Sequence, residues 1–208
     1  MPLRIVVCGQ EYGSTDKHVS LETRYQRIAV RSGLQRRFSA TPGFEPRNPH
    51  MKATTSLLRL LFGIPLGNKH EDKFVTINGE RVHLFDAFAL ANFLLCSATN
   101  GNKSGRSTRT MRKNCAQHYR ATINILSPTL LIRQGTGVFD WVSKYAFEVR
   151  IIDEQLGSIR TPELDALVLR FTHPSAHSPY NWGHNERTEY LINTVAPAVE
   201  KALTWSSG

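Results

Sequence analysis

The sequence predicts an α/β protein built on a parallel sheet covered by helices on both faces, and three observations carry that expectation. Short apolar, β-branched runs alternate with longer stretches of helical period, the pattern left by strands joined through crossover helices. Two of these runs end in loops rich in chemistry, Gly9-Gln10-Glu11-Tyr12-Gly13 after the first and His173-Pro174-Ser175-Ala176-His177-Ser178 after the last. Ligand sites of open parallel sheets lie at such strand ends. Finally, 208 residues with 40% hydrophobic content suffice for one core, and without an internal repeat the chain reads as a single domain over 1–208.

Each element follows from its own residues. Arg4–Cys8 is a β-branched run and the first strand. Leu21–Gln35 has helical period, and Phe38–Pro49, with three prolines and one glycine, reads as a long loop. Met51–Phe62 is the next helix and Ala89–Cys96 the second strand. The Gly-, Asn-, Ser- and base-rich stretch 100–107 connects it to a helix over Thr108–Leu126, followed by a strand over Thr129–Arg133 and a short helix over Val138–Ser143. Strands over Phe147–Ile152 and Leu167–Thr172 complete the set. The last helix, Asn185–Leu203, places Leu191, Val195, Val199 and Ala202 on one face, with a kink or break expected at Pro197.

Charge narrows the partner. Lys and Arg number 26 against 17 Asp and Glu, a formal charge of +9, and much of the excess is local: Arg24, Arg27, Arg31, Arg36 and Arg37 crowd one stretch, Lys103, Arg106, Arg109, Arg112 and Lys113 another. Clustered cations point to a phosphate-rich polyanion. The three cysteines, Cys8, Cys96 and Cys115, form no C-x-x-C and sit mostly in apolar runs, so no disulfide is expected. With no apolar run long enough for a membrane span and no signal-like leader, the expected compartment is the cytoplasm, or the nucleus with the DNA in a eukaryote, and no membrane is an expected partner.

Read in order, Gly9-Gln10-Glu11-Tyr12-Gly13, Phe38-Ser39, Asn92 on an apolar strand, Gly135-Thr136-Gly137 after Leu130-Leu131-Ile132, and His173-Pro174-Ser175 form a series. This series resembles the uracil-DNA glycosylase superfamily over nearly the whole chain. The resemblance implies a three-layer α/β/α sandwich around a central, mainly parallel four-stranded sheet. It also implies a monomeric, cofactor-free and metal-free DNA glycosylase. Such an enzyme flips uracil or a related deaminated or modified base out of DNA and hydrolyses its N-glycosidic bond in base excision repair.

Residue roles follow from the same resemblance. Glu11 stands where the classical branch has aspartate, orienting the attacking water and stabilising the positively charged sugar, as an oxocarbenium-like transition state requires. Glutamate is one methylene longer, so the water sits differently. His173 takes the place of the histidine that donates to the base oxygen as charge develops there. Asn92 reads the pyrimidine edge with one donor and one acceptor; read without the resemblance, it is a strand amide pinning a neighbouring loop. Phe38 stacks on the flipped base or, as a plain loop aromatic, plugs the core. The backbone around Gln10 contacts the base. Gly13 stands where the classical branch has the tyrosine that excludes thymine, and Tyr12, in the preceding proline position, closes part of the opening. Ser39, Ser175, Ser178, Gly135 and Thr136 clamp phosphates. His177 replaces the wedge leucine, with Tyr180 and Trp182 as nearby aromatics.

Three other readings compete. An iron-sulfur cluster needs four cysteines, and the chain has three. A metal held by His173, His177 and His184 is disfavoured by their Pro-containing loop, so no metal is expected. The same fold could serve as a uracil- or damaged-DNA-binding module without turnover, or a metal-dependent phosphoesterase could use the same basic surface. No lysine occupies the matched catalytic motifs, which makes any glycosylase monofunctional.

Overall fold

Four strands running the same way lie side by side in one sheet, and two antiparallel strands extend them on one flank. The computed structural model describes residues 3–9, 20, 22–23, 25–26, 30, 49–67, 74–95 and 107–205. Along the chain the elements are β1 (Ile5–Gly9), α1 (Pro49–Leu61), β2 (Phe74–Ile77), β3 (Glu80–His83), β4 (Phe88–Asn92) and α2 (Arg109–Leu126), then β5 (Leu130–Gln134), α3 (Thr136–Trp141), β6 (Arg150–Ile151), β7 (Leu156–Thr161), β8 (Leu164–Phe171) and α4 (Ala196–Trp205). A 3-10 turn spans Leu84–Asp86, and π-helical segments span Val142–Ala146 and Leu191–Val195. The chain divides into two compact units, one from the described parts of Met1–Thr15, Phe88–His173 and Lys201–Gly208, the other from those of Asp16–Ala87 and Pro174–Glu200.

The first unit holds the sheet, in the order β4-β1-β5-β8-β7-β6. β4, β1, β5 and β8 are mutually parallel. Residues 5–9 of β1 and 130–134 of β5 are buried on both faces, which explains why these strands read as continuous apolar runs. α2, α3 and the π segment after it cover one face, where Val6, Cys8, Leu131 and Val168 meet Cys115, Tyr119, Ile123, Val138 and Trp141. The residues of the opposite face, Ile5, Val7, Leu130, Ile132 and Leu169, are equally buried. Phe93 anchors an aromatic cluster, with ring centroids 5.0 Å from Tyr119 and 5.9 Å from Trp141.

Helix α2 shows why its sequence is helical. Thr108 caps it, its Oγ1 accepting from the Met111 N–H at 3.1 Å. Cys115, Tyr119 and Ile123, four residues apart, then bury one stripe. Ser127, at φ 42°, ends it in the left-handed region.

The sheet departs from expectation at its flank. The expected strand over Phe147–Ile152 shrinks to Arg150–Ile151, because Phe147 leaves the sheet: its N–H closes the π segment onto Val142 O at 2.9 Å and its ring joins the core. β7 was not expected, since Gly157, Ser158 and Arg160 interrupt its apolar pattern, and it pairs antiparallel with a β8 that begins at Leu164. The strand expected over Ala89–Cys96 is Phe88–Asn92 and ends at Asn92. α3 begins two residues earlier than predicted, directly after Gly135.

In the second unit, α1 buries Met51, Ala53, Leu57, Leu58 and Leu61. β2 and β3 form a hairpin, unforeseen although Asn78-Gly79, at φ 53° and 84°, is a strong two-residue turn signal. The described residues of the helix predicted over Leu21–Gln35, namely Glu22, Thr23, Tyr25, Gln26 and Val30, are helical. Where a kink or break is expected at Pro197, the helical run is continuous: the π segment Leu191–Val195 passes directly into α4, with Ala196 at the junction at φ −61° and ψ −49°. Leu191, Val195, Val199 and Ala202 are all buried.

Candidate active site

Parallel strands deliver all their C-terminal ends to one edge, and the polar residues of the first unit gather there. Gly9 at the end of β1 is in register with Asn92 at the end of β4, and the Phe93 N–H donates to Gly9 O at 3.1 Å as the chain turns out of the sheet. Next to β1, β5 ends at Gln134, which pairs with Phe171 of β8. The Gly135 N–H donates to Phe171 O at 2.8 Å, which ties the start of the β5 loop to the strand that delivers His173 two residues later.

Gly135 carries φ 111°, a conformation that L side chains rarely adopt, so its glycine is required by backbone geometry. Space is not the reason: a Cβ there would stand at ordinary contact distance, 3.9 Å from Val138 Cγ2 and 4.0 Å from His173 Cδ2. That second distance places the imidazole beside the loop. His173 is exposed, yet the protein around its ring desolvates it enough to lower its pKa below the ordinary 6.5, favouring neutral imidazole. Asn92 is half-buried, between buried Ala91 and Phe93. It therefore stands at a strand terminus, a place from which an amide reaches into a loop crevice. Thr136 is exposed at the first position of α3.

Beneath this edge lies a polar group the sequence reasoning did not single out. Arg133, 1% exposed, is in register with Cys8 on one side and Arg170 on the other. Its Nη1 donates to Phe139 O at 3.1 Å and to Ser143 Oγ at 3.4 Å, and its guanidinium lies 3.9 Å over the Phe139 ring, which Arg170 also approaches at 4.5 Å. The side chain thereby braces α3, and with it the Gly135 loop, against β5. Burial lowers the Arg133 pKa to about 10, and burial pushes the neighbouring Cys8 thiol up to about 11 and the Tyr119 phenol well above its usual value. Cys8 is thus an inert buried thiol, as is typical of free cysteines in strands, and Cys8 and Cys115 are both free. An arginine closing an apolar strand was the available signal for this brace.

No family model matches this chain, and no curated protein matches it.

The loop that follows belongs to the second unit. The Gly183 N–H donates to Pro174 O at 3.0 Å and the Tyr180 N–H to His177 O at 2.9 Å, folding 174–183 back on itself. Ser175, His177, Ser178 and Tyr180 are exposed. Tyr180 stacks edge-on against Tyr190 with centroids 6.1 Å apart. Trp182 is 1% exposed and cannot assist a wedge, a correction to the expectation: the indole is buried. Gln10, Glu11, Tyr12, Gly13, Phe38 and Ser39 lie outside the described residues, as does Cys96. Among the described residues no three His, Cys, Asp or Glu side chains come close enough to hold a metal ion, and no helix is long and apolar enough to cross a membrane.

Proposed function

We propose that the protein is a monofunctional DNA glycosylase that hydrolyses the N-glycosidic bond of uracil or a related deaminated or modified base. The observation that carries this reading is the meeting of four strand ends at one edge, where Gly9, leading into Glu11, lies in register with Asn92, and Gly135 lies beside His173. The uracil-DNA glycosylase-like fold is part of the same proposal, supported by four parallel strands in the order β4-β1-β5-β8 with helices packed on the sheet.

In this reaction the bond from C1′ to the base breaks and its electron pair leaves with the base. Glu11 orients water toward C1′ and offsets the charge that develops on the sugar, taking up the water's proton as the new C–O bond forms. His173, neutral because it is partly desolvated, donates a hydrogen bond to the base oxygen on which negative charge accumulates. Asn92 selects the base edge, and Phe38 stacks on its face. Ser175, Ser178, Gly135, Thr136 and Ser39 hold phosphates, and His177 fills the gap in the duplex.

The test is incubation with labelled oligonucleotides containing a single uracil, hypoxanthine or C5-modified uracil, followed by alkaline cleavage of abasic sites. Cleavage of one substrate, lost with Glu11→Gln and reduced about 10²- to 10³-fold with His173→Ala, is the expected outcome. Because the His173 pKa is lowered, the neutral donor persists below the ordinary histidine value, and the acid limb of the rate that depends on His173 falls below pH 6.5. Selective binding of uracil-containing DNA with no cleavage would assign the protein to recognition instead.

A further inference from the structure

Every charged side chain of α2 is a cation: Arg109, Arg112, Lys113 and Arg120 occur with no Asp or Glu between Arg109 and Leu126. At about 100° per residue, Arg109, Lys113 and Arg120 fall within about 40° of one another, along a flank beside the buried stripe. All three are exposed, and none forms an ion pair among the described residues. Aromatic faces hold the neighbouring guanidiniums instead. Arg112 lies 5.3 Å over Trp141 and Arg120 5.7 Å over Phe147, with Lys144 5.8 Å over Tyr145. Cations seated on rings keep their full charge for a partner.

This arrangement costs the helix. Three of the four cations lie in its first turns, at the positive end of its own dipole, and Arg109 and Lys113 repel each other at i, i+4. A merely soluble helix face would intersperse glutamates, which are absent from α2. The direction of the helix relates the charges to the site. α2 ends at Leu126, with three residues between it and the start of β5 at Leu130, so it runs back along the sheet, and Arg109 starts at the edge where Asn92, Gly135 and His173 lie.

We propose that this flank of α2 binds the phosphate backbone of DNA as the strand leaves the active-site edge. The inference rests on reading that edge as facing DNA. From Arg109 to Arg120 the charges extend over roughly 16 Å, the axial length of about five phosphates of one strand. The site is a positioning surface and reads no sequence.

The test compares the wild type, the triple variant Arg109→Gln/Lys113→Gln/Arg120→Gln, and a control Arg150→Gln/Arg160→Gln on the antiparallel flank. Affinity for a fluorescein-labelled duplex is followed by anisotropy across a salt series, with circular dichroism verifying the fold. The slope of log affinity against log salt should fall by about 2 to 3 in the triple variant, near 0.9 per lost phosphate contact, and stay unchanged in the control. Single-turnover base excision at saturating protein should be retained. An unchanged slope, an equal loss in the control, tighter binding to duplex RNA than to DNA, or no DNA binding by the wild type would each overturn the proposal. If the wild type binds DNA in the expected manner but excises no base, the glycosylase reading fails while the α2 surface stands on its slope.

Discussion

β1, β4 and β5 follow one another through long connections and end, with β8, at the same edge of the sheet, whereas β7 reaches β8 through Pro162 and Glu163 alone. The parallel half therefore gathers every one of its C-terminal loops on one side, where Asn92, Gly135 and His173 lie. The antiparallel half places its β7–β8 turn on the opposite side and brings to that edge only the β6–β7 turn, where the Arg170 N–H donates to Gln155 O at 3.0 Å. Burial follows the same division: β1 and β5 are covered on both faces, while β6 is exposed and β7 loses its cover toward Thr161. The difference teaches that one half of the sheet builds the candidate site and the other stiffens the strand that presents His173. Changes in the first should cost both stability and activity, and changes in the second stability alone.

The largest effect is expected from Leu131→Ala. Leu131 is fully buried at the centre of β5, against α2 and α3, and truncating it loses transfer energy and leaves a cavity. Urea denaturation should show a loss of about 3 kcal/mol, with the proposed base excision falling as well because β5 carries the Gly135 loop. A loss below about 1 kcal/mol would mean that the parallel half is loosely packed.

An intermediate effect, confined to the flank, is expected from Gly157→Ala. A Cβ on Gly157 would stand 2.9 Å from Arg150 O and 3.1 Å from Val149 Cγ1, and the first of these is backbone that cannot swing aside. The substitution should push β6 away from β7 at a cost of about 1 to 2 kcal/mol, with excision kinetics retained. A variant that loses activity while remaining folded would erase the division between the two halves.

How much of this was legible in the sequence depends on the same contrast. The strands β1 and β5 are visible because both faces are buried and apolar residues run without interruption, as in Ile5-Val6-Val7-Cys8 and Leu130-Leu131-Ile132. β7 is not, because a flank strand can carry Gly157, where another backbone approaches closely, and Ser158 and Arg160, without losing its ladder. His173 could be found from local sequence, since a strand running into His-Pro-Ser ends in a loop whatever packs around it. Arg133 could not: its role depends on Phe139 and Ser143, which reach it only through the turn at Gly135. Trp182 was misjudged for the converse reason, because nothing in a loop sequence says which aromatic the core will take.

The smallest effect is expected from Asp153→Asn, at the turn between β6 and β7. Asp153 Oδ1 accepts from the Gln155 and Leu156 N–H groups at 2.8 and 2.7 Å, while Oδ2 pairs with Lys201 of α4. These contacts, the Lys201 ammonium first, hold its carboxyl below the ordinary 3.8. A carboxyl with a lowered folded-state pKa contributes stability that is complete above its unfolded value and is lost as pH falls through the folded one. Asparagine keeps an oxygen for the two backbone donors and removes only the ion pair. Side chains that are one-third and one-half exposed are screened by solvent, so the loss near neutral pH should be about 0.5 kcal/mol. It should shrink in high salt and vanish below pH 3.8, where wild type and variant converge in thermal melts. Convergence only well above that pH would mean that the flank is pinned by something other than this pair, and that the tie from α4 to the β6–β7 turn adds nothing to the stiffness of β8.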